Sequence, residues 1–404
     1  MPASSRSSLS EIFRTFLGLG LTSFGGPAAH LGYFRSAFVE RRGWLSERAY
    51  ADLVVLCQFL PGPASSQVGL AIGLIRGGLP GALAAWLAFT LPSALLLIAF
   101  ALGASALEGP LGQALMQGLK LVAVVIVAHA VQGMARTLCP DRRRAAIAVG
   151  AIALVATLEG VGGQVATILA GALAGAVLCR NAAACDSASR ADSLRSSASR
   201  TLSGLFLTLF VAGLVGLPLL RQLDAGLWLA VIDAFYRAGA LVFGGGHVVL
   251  PLLQAEVVAP GWVSEDAFLS GYGAAQAVPG PLFTLAAYLG MVAGEGNVLI
   301  ALLALVAIFL PGALLVIGLL PMWDRLRQRA GLTAMMAGAN AAVVGLLAAA
   351  LFDPIWLSTV ASLGDFTLVV AGFVALTRWG WSPLAVVLAC LGVSLARHWL
   401  GGGL

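Results

Sequence analysis

Gln58-Phe-Leu-Pro61-Gly62-Pro63 lies inside an apolar stretch, and the chain writes it twice. The second copy, Gln276-Ala-Val-Pro279-Gly280-Pro281, follows 218 positions later. Proline has no N–H to donate and clashes with the preceding turn, while glycine loosens the backbone. Two prolines around a glycine therefore end one helix and start another. In lipid such a break survives only where protein or a watery cavity satisfies the freed backbone groups. A single break is unremarkable, because glycine and proline are common in membrane helices. A duplicated break in matching positions of two halves points to a transport site.

Composition agrees with a membrane setting. Of 404 residues, 60% are hydrophobic and 10% charged, and mean hydropathy is +0.96. Soluble domains carry roughly 25% charged residues, and runs of about 20 apolar residues fit a polytopic helical chain. The net charge of +5 calls for no nucleic acid, since membrane proteins gather basic residues in cytoplasmic loops. Cysteines 57, 139, 179, 185 and 390 show no metal-binding spacing and read as inert thiols. Glu11 and Arg14 interrupt the N-terminal apolar run, so no cleavable targeting segment is expected.

Taken in order, residues 9–34 are apolar with a break at Phe24-Gly25-Gly26-Pro27, and a polar loop runs from Arg35 to Arg48. The Pro-Gly-Pro segment follows at about 51–74, then apolar helices at about 79–101 and 113–135. Residues 145–179 suit a short-armed helical hairpin. The second half repeats this plan. Phe243-Gly244-Gly245-Gly246-His247 answers Phe24-Gly25-Gly26, and Gly261-Trp262-Val263-Ser264 answers Gly43-Trp44-Leu45-Ser46. Leu310-Pro311 answers Leu91-Pro92, and Gly338-Ala-Asn340 answers Gly118-Leu-Lys120. This internal duplication divides the chain into a first repeat at 1–180, a cytoplasmic Ser/Ala/Arg-rich linker at 181–203 and a second repeat at 204–404.

Matching loops carry opposite charge. Loop 35–48 holds four arginines, whereas 254–266 holds Glu256, Glu265 and Asp266 and no basic residue. Arg142-Arg143-Arg144 answers a loop with Asp353 alone. Under the positive-inside rule the two halves are upside down relative to each other. The expected fold is thus an all-α polytopic membrane protein of two inverted-topology repeats, with broken or re-entrant helices at the Pro-Gly-Pro and Phe-Gly-Gly motifs. Arg41 and Arg76 flank the first Pro-Gly-Pro segment on one side, so it enters and returns, with arms of roughly 10 residues, about half a bilayer core. Whether 9–34 and 228–252 span or re-enter stays open.

Broken helices from inverted halves aim helix N-termini, with their free N–H groups and partial positive charge, at one place, an arrangement suited to anions. Gly25, Gly26, Gly62, Gly244, Gly245 and Gly280 would admit a ligand close to the backbone; the same glycines also serve tight helix packing. Lys120 is the single lysine beside 22 arginines and sits in the apolar run 119–131. A cation there costs about 3 kcal/mol on insertion scales, so it is a candidate for substrate charge, with Asn340 opposite it as an amide donor; snorkelling is the alternative. Gln58 and Gln276 would bind substrate or cap broken backbone. Asp233 and Arg237 stand at i, i+4 and should pair. His30, His129 and His247 are candidate proton carriers, or helix-packing polar residues. No Walker loop, His-Glu-x-x-His or Gly-x-Ser-x-Gly element occurs, so nothing supports ATP hydrolysis or hydrolase chemistry. No metal site or cofactor is expected, and a membrane-embedded enzyme is the rival class.

These residues resemble the chromate ion transporter family in its long two-domain form. The resemblance rests on FGGPAAHLGYFR, RRGWLSE and QFLPGPASSQ in the first half. In the second it rests on VFGGGHVVLPLL, GWVSEDAFLSGYGAAQAVPGP and GANAAVVGLLAAALFDPIW. It covers most of 12–356 apart from 145–225. It implies a multi-pass protein of the bacterial inner membrane that exports chromate from the cytoplasm, with sulfate or another oxyanion as the alternative cargo. Such tetrahedral dianions suit a site of helix N-termini and one lysine. The partners are then the oxyanion and the lipid bilayer; a homodimer is left open.

Overall fold

The computed structural model describes residues 7–104, 109–158, 160–179, 200–223, 226–243, 246–323 and 330–401. These are helical throughout, with no strand among them. In the first half α1 (Leu9–Thr22) and α2 (Gly26–Arg35) flank the Phe-Gly-Gly break, and α2 runs on as a π-helical turn, Ser36–Arg41. Then α3 (Glu47–Phe59) and α4 (Ala64–Ala104) flank the first Pro-Gly-Pro. A second interruption splits α4 at Gly78, whose φ of 65° and ψ of −158° are non-helical. The arm 64–77 is thereby set off from the long helix 79–104. Next come α5 (Pro110–Leu138), α6 (Arg142–Val155) and α7 (Gly160–Leu178).

The second half retraces this order. After α8 (Arg200–Arg221), α9 (Gly226–Ala240) answers α1, and α10 (Val249–Val257) answers α2. Helices α11 (Glu265–Ala277) and α12 (Leu285–Ala293) flank the second Pro-Gly-Pro. Then α13 (Val298–Leu319) answers 79–104, and α14 (Ala330–Ala350) answers α5. The closing pair α15 (Leu363–Thr377) and α16 (Pro383–Gly401) answers α6 and α7.

The Pro-Gly-Pro hairpins are helical and short, as expected, but their arms are longer than anticipated. Helix α3 has 13 residues, or about 20 Å at 1.5 Å per residue, still well under the roughly 30 Å of a hydrocarbon core. The extra length comes from its N-terminus, where Ser46 caps the helix by accepting from Ala49 N–H and Glu47 sits in the first turn. Ser264 does the same for α11 at Ala267. Among the described residues, five helices are long and apolar enough to cross a membrane: 64–103, 110–138, 202–221, 298–322 and 331–359. Burial separates them, with 72% of the most apolar window of 298–322 enclosed by protein against 6% for 202–221. Thus α13 is central and α8 is peripheral.

The halves interlock. The strongest partners of α14 are α6 and α7 of the other half, and α5 packs in the same way on α15 and α16. Close-approach glycines mark both seams. A Cβ on Gly118 of α5 would meet Ser394 at 3.2 Å on α16, and one on Gly338 of α14 would meet the Cα of Gly175 at 2.5 Å on α7. Each repeat thus lends its terminal helical pair to the core helix of the other. Reciprocal contacts of this kind are what a two-fold axis produces. With the opposed loop charges, they describe two inverted repeats.

Candidate functional site

All four breaks meet. The N–H of Gly62 donates to Val242 O at 2.7 Å, immediately before Phe243 of the second Phe-Gly-Gly motif. The N–H of Gly280 donates to Ser23 O at 2.9 Å, immediately before Phe24 of the first. Each Pro-Gly-Pro is therefore pinned to the opposite half's Phe-Gly-Gly by an equivalent hydrogen bond. Both central glycines are left-handed, with φ of 125° at Gly62 and 105° at Gly280, which favours glycine there. Their backbones lie against the proline-bearing helix of the other half. A Cβ on Gly62 would fall 3.1 Å from Gly312 Cα, and one on Gly280 would fall 2.8 Å from Ser93 Oγ. The Phe-Gly-Gly motifs also touch each other, since a Cβ on Gly246 would stand 3.1 Å from Pro27 Cγ.

Polar groups collect at this junction inside an otherwise apolar core. Ser23, His30, Ser65, Ser66, Gln67, Thr90 and Ser93 are all buried. The His30 ring lies with Nε2 3.2 Å from Ser23 O and Nδ1 3.4 Å from Ser65 Oγ. Gln67 Nε2 donates to Pro61 O at 2.8 Å and Gly312 O at 3.3 Å, tying the first break to α13. Yet Ser23 Oγ, Ser66 Oγ, Gln67 Oε1, Thr90 Oγ1 and Gln276 Nε2 have no partner among the described residues. Each buried polar group left without one costs about 1–3 kcal/mol, so native cores keep such groups few. A cluster of them at one spot is the mark of a site that receives something polar.

Helix ends carry the same message. Outward N-termini are capped by serine side chains, Ser8, Ser46 and Ser264. At the junction, α2 starts behind Gly25 and the turn Leu282–Thr284 starts behind Pro281, and neither has a side-chain cap. Their first N–H groups thus have no side-chain acceptor at the N-cap, and a helix start carries partial positive charge.

The other expected residues divide. Gly25 and Gly26 form the first break with φ of 100° and 76°, while Gly244 and Gly245 lie outside the described residues. Gln276 is at the junction, whereas Gln58 is exposed. His247 sits on the turn Gly246–Val248 with Nδ1 2.7 Å from the Tyr272 hydroxyl. His129 Nδ1 and Asn340 Oδ1 are buried without a partner among the described residues. Lys120 is engaged elsewhere: its Nζ is 2.8 Å from Asp266 Oδ1, in the first turn of α11. The apolar run gave no sign of a carboxylate near Lys120; packing of α5 on α11 supplies one. Asp233 and Arg237 pair at 2.8 Å as expected.

Sequence reasoning passed over Ser23, Ser65, Ser66, Gln67, Thr90 and Ser93. A signal existed for the Ser-Ser-Gln run. It occupies the first turn after a break, where hydroxyls and amides can serve exposed N–H groups. Thr90 and Ser93 are recognisable only once α4 is seen to cross the second break.

Two interlocked inverted repeats whose broken helices converge on a buried polar junction define a membrane transporter of the inverted-repeat kind. The chain belongs to the chromate transporter family, which it matches over residues 10–176 and 229–395, one segment in each half. It is similar to a chromate transport protein of Pseudomonas aeruginosa, 29% identical over 96% of this chain and 92% of that protein. A probable chromate transport protein of Synechococcus elongatus is 28% identical, covering 95% and 94%. A chromate transport protein of Cupriavidus metallidurans is 27% identical, covering 85% and 81%. No solved structure matches the chain.

Proposed function

We propose that the protein is a secondary transporter that exports chromate from the cytoplasm across the bacterial inner membrane. The carrying observation is the junction itself, where uncapped helix N-termini and unpaired buried hydroxyl and amide groups of both halves face one another. A tetrahedral dianion fits this chemistry. It accepts hydrogen bonds on every side, and helix ends offset its charge without a permanent cation that would hold it too tightly. The family and the names of the relatives supply chromate as the cargo; sulfate has the same shape and charge and is the second reading.

In this reading backbone at Gly25, Gly26, Gly62 and Gly280 lines the site, with Gln276, Ser23, Ser66 and Thr90 as side-chain partners. Lys120 and Asn340 flank the route at corresponding places on α5 and α14, and Lys120 exchanges Asp266 for the passing anion. Gln58 belongs to the approach. Residues 1–180 and 204–404 act as the two repeats, with 181–203 as a cytoplasmic linker. Nothing in this scheme makes or breaks a covalent bond, so the protein is a carrier and not an enzyme. The test is uptake into everted membrane vesicles, with chromate set against sulfate, molybdate and phosphate, with and without a pH gradient. Accumulation of intact chromate that sulfate competes supports the reading. Reduced chromium without accumulation sinks it in favour of an enzyme.

A further inference from the structure

The two Phe-Gly-Gly hairpins are braced differently. In the first half Phe16 of α1 packs against Phe34 of α2 at 5.9 Å and Phe38 at 4.9 Å between ring centres, all fully buried. That packing is apolar, and the ion pair between the same two arms, Arg42 Nη1 to Glu11 Oε1 at 3.2 Å, is exposed rather than buried. In the second half the brace is ionic. Arg237, in the last turn of α9, donates through Nη2 to Asp233 Oδ2 at 2.8 Å and across the hairpin to Glu256 Oε2 at 3.0 Å on α10. Arg221 of α8 approaches the same Asp233 oxygen at 3.4 Å and lies over the Trp262 ring.

The charges are not evenly served. The Asp233 and Glu256 side chains are 1% and 4% exposed. Asp233 pairs with both arginines, whereas among the described residues Glu256 forms an ion pair with Arg237 only. Asp233 Oδ1, Glu256 Oε1 and Arg237 Nε have no partner among the described residues. The two buried carboxylates share Arg237 and Arg221 approaches Asp233, which favours a proton on Glu256, the less well served of them. The other elements packed on α10 do not alter this. Helices α7 and α14 carry no ionisable side chain over their described spans, and the turn before α10 carries His247, already bonded to Tyr272. Glu256 lies at the C-terminal end of α10, outside the spanning helices. Burial, reinforced by the Asp233 charge and opposed by the arginines, pushes its carboxyl up to about 7.

We propose that Glu256 is a proton-binding site whose occupancy sets the hold of α9 on α10 and thereby the placement of Val242, the partner of Gly62. With Glu256 ionised, Arg237 ties α9 to α10 and holds both arms of the hairpin that carries Val242 and the second Phe-Gly-Gly. With Glu256 protonated, the charge holding that tie is gone and Arg237 is left to Asp233. Val242 accepts the hydrogen bond of Gly62, so the change reaches the junction. Among the described residues a buried ionic tie of this kind occurs in the second half and not at the corresponding hairpin of the first, where the ion pair is exposed, which makes the response to pH one-sided across an otherwise two-fold molecule. The inference rests on the transport reading given above, but it has a readout that does not.

That readout is labelling of the wild-type full chain in detergent with an apolar carbodiimide, which reacts with protonated buried carboxyls. Labelling is followed by mass spectrometry from pH 5 to 9. The adduct on Glu256 should fall with rising pH around a midpoint near 7, and Arg237→Lys should leave a labelled Glu256. An adduct absent at every pH, or independent of pH, overturns the proposal. In proteoliposomes with equal pH on both sides, wild-type chromate flux should change several-fold over the same interval, and Glu256→Gln should be active with a flat profile. A Glu256→Gln variant that keeps the wild-type inflection also overturns it. If the wild type moves no oxyanion at any pH, the transport reading fails, and the labelling still decides whether Glu256 takes up a proton.

Discussion

Alanine at Gly280 adds one methyl group at the point where the second Pro-Gly-Pro crosses α4. Two costs follow. The φ of 105° is unfavourable for an L side chain by about 1–2 kcal/mol. The new Cβ would stand 2.8 Å from Ser93 Oγ and 3.3 Å from Phe89 O, and overpacking of this kind costs about 1–3 kcal/mol. Gly62 repeats the arrangement, with Gln67 Nε2 at 2.7 Å and Gly312 Cα at 3.1 Å. Each substitution therefore works against the assembled junction by roughly 2–5 kcal/mol. At about 1.4 kcal/mol per factor of ten, the lower end alone lowers the population of the assembled site roughly thirtyfold. Two neighbours calibrate the series. Gly26 has a φ of 76° and nothing within 4 Å of its Cβ position, so Gly26→Ala carries only the backbone cost of about 1–2 kcal/mol. Gly18 is helical with nothing within 4 Å, and alanine there is neutral or favourable by up to about 1 kcal/mol. Initial chromate uptake into everted vesicles, normalised to immunoblotted protein, should rank Gly18→Ala at wild type, Gly26→Ala intermediate, and Gly62→Ala and Gly280→Ala nearly inactive. Wild-type uptake by Gly280→Ala at equal expression would refute the reasoning.

Further outcomes follow from other contacts. Lys120→Met should lose at least tenfold in uptake while Asp266→Asn changes it less than threefold, because an exposed partner contributes only about 0–1 kcal/mol; equal losses in both would make the pair structural. Glu256 was stabilised in its protonated form by folding, so its contribution to stability is complete below about pH 4.5 and is lost as pH rises towards about 7. The thermal midpoint of wild type minus that of Glu256→Gln should accordingly fall across that window, and a constant difference would contradict it. Fragments 1–190 and 191–404, made separately, should each be degraded but should co-purify when co-expressed, since α5 and α14 find their terminal helical pairs in the other half; a stable, monodisperse single fragment would contradict the interlock.

The duplicated motifs made the break positions, the repeat order and the membrane class readable, because proline and glycine act on the backbone locally and do so in any context. Antiphase loop charge made the inversion readable for a similar reason, since orientation in a membrane is set by short basic loops. What stayed hidden depends on contacts between distant segments. Gly62 and Val242, or Gly280 and Ser23, share no sequence feature, and their pairing appears only when the inverted halves are docked. The exchange of α6–α7 and α15–α16 between halves is hidden too, because glycines on α5 and α14 read equally well as seams to any helix. Lys120 shows the limit most clearly. Its apolar neighbours were legible, but the carboxylate of Asp266 comes from a helix 146 residues away. Glu256 likewise read as part of an acidic loop, whereas the last turn of α10 carries it inward onto Arg237.

The central claim is that chromate crosses the membrane intact through the junction of the four breaks. Flux of chromate by the purified full chain in proteoliposomes, with the lumen assayed separately for chromate and for reduced chromium, tests it most directly. The account predicts saturable entry of unreduced chromate, inhibited by sulfate and abolished in the Gly62→Ala, Gly280→Ala double variant. Flux that persists undiminished in that double variant, or a lumen without chromate in the wild type, would contradict it.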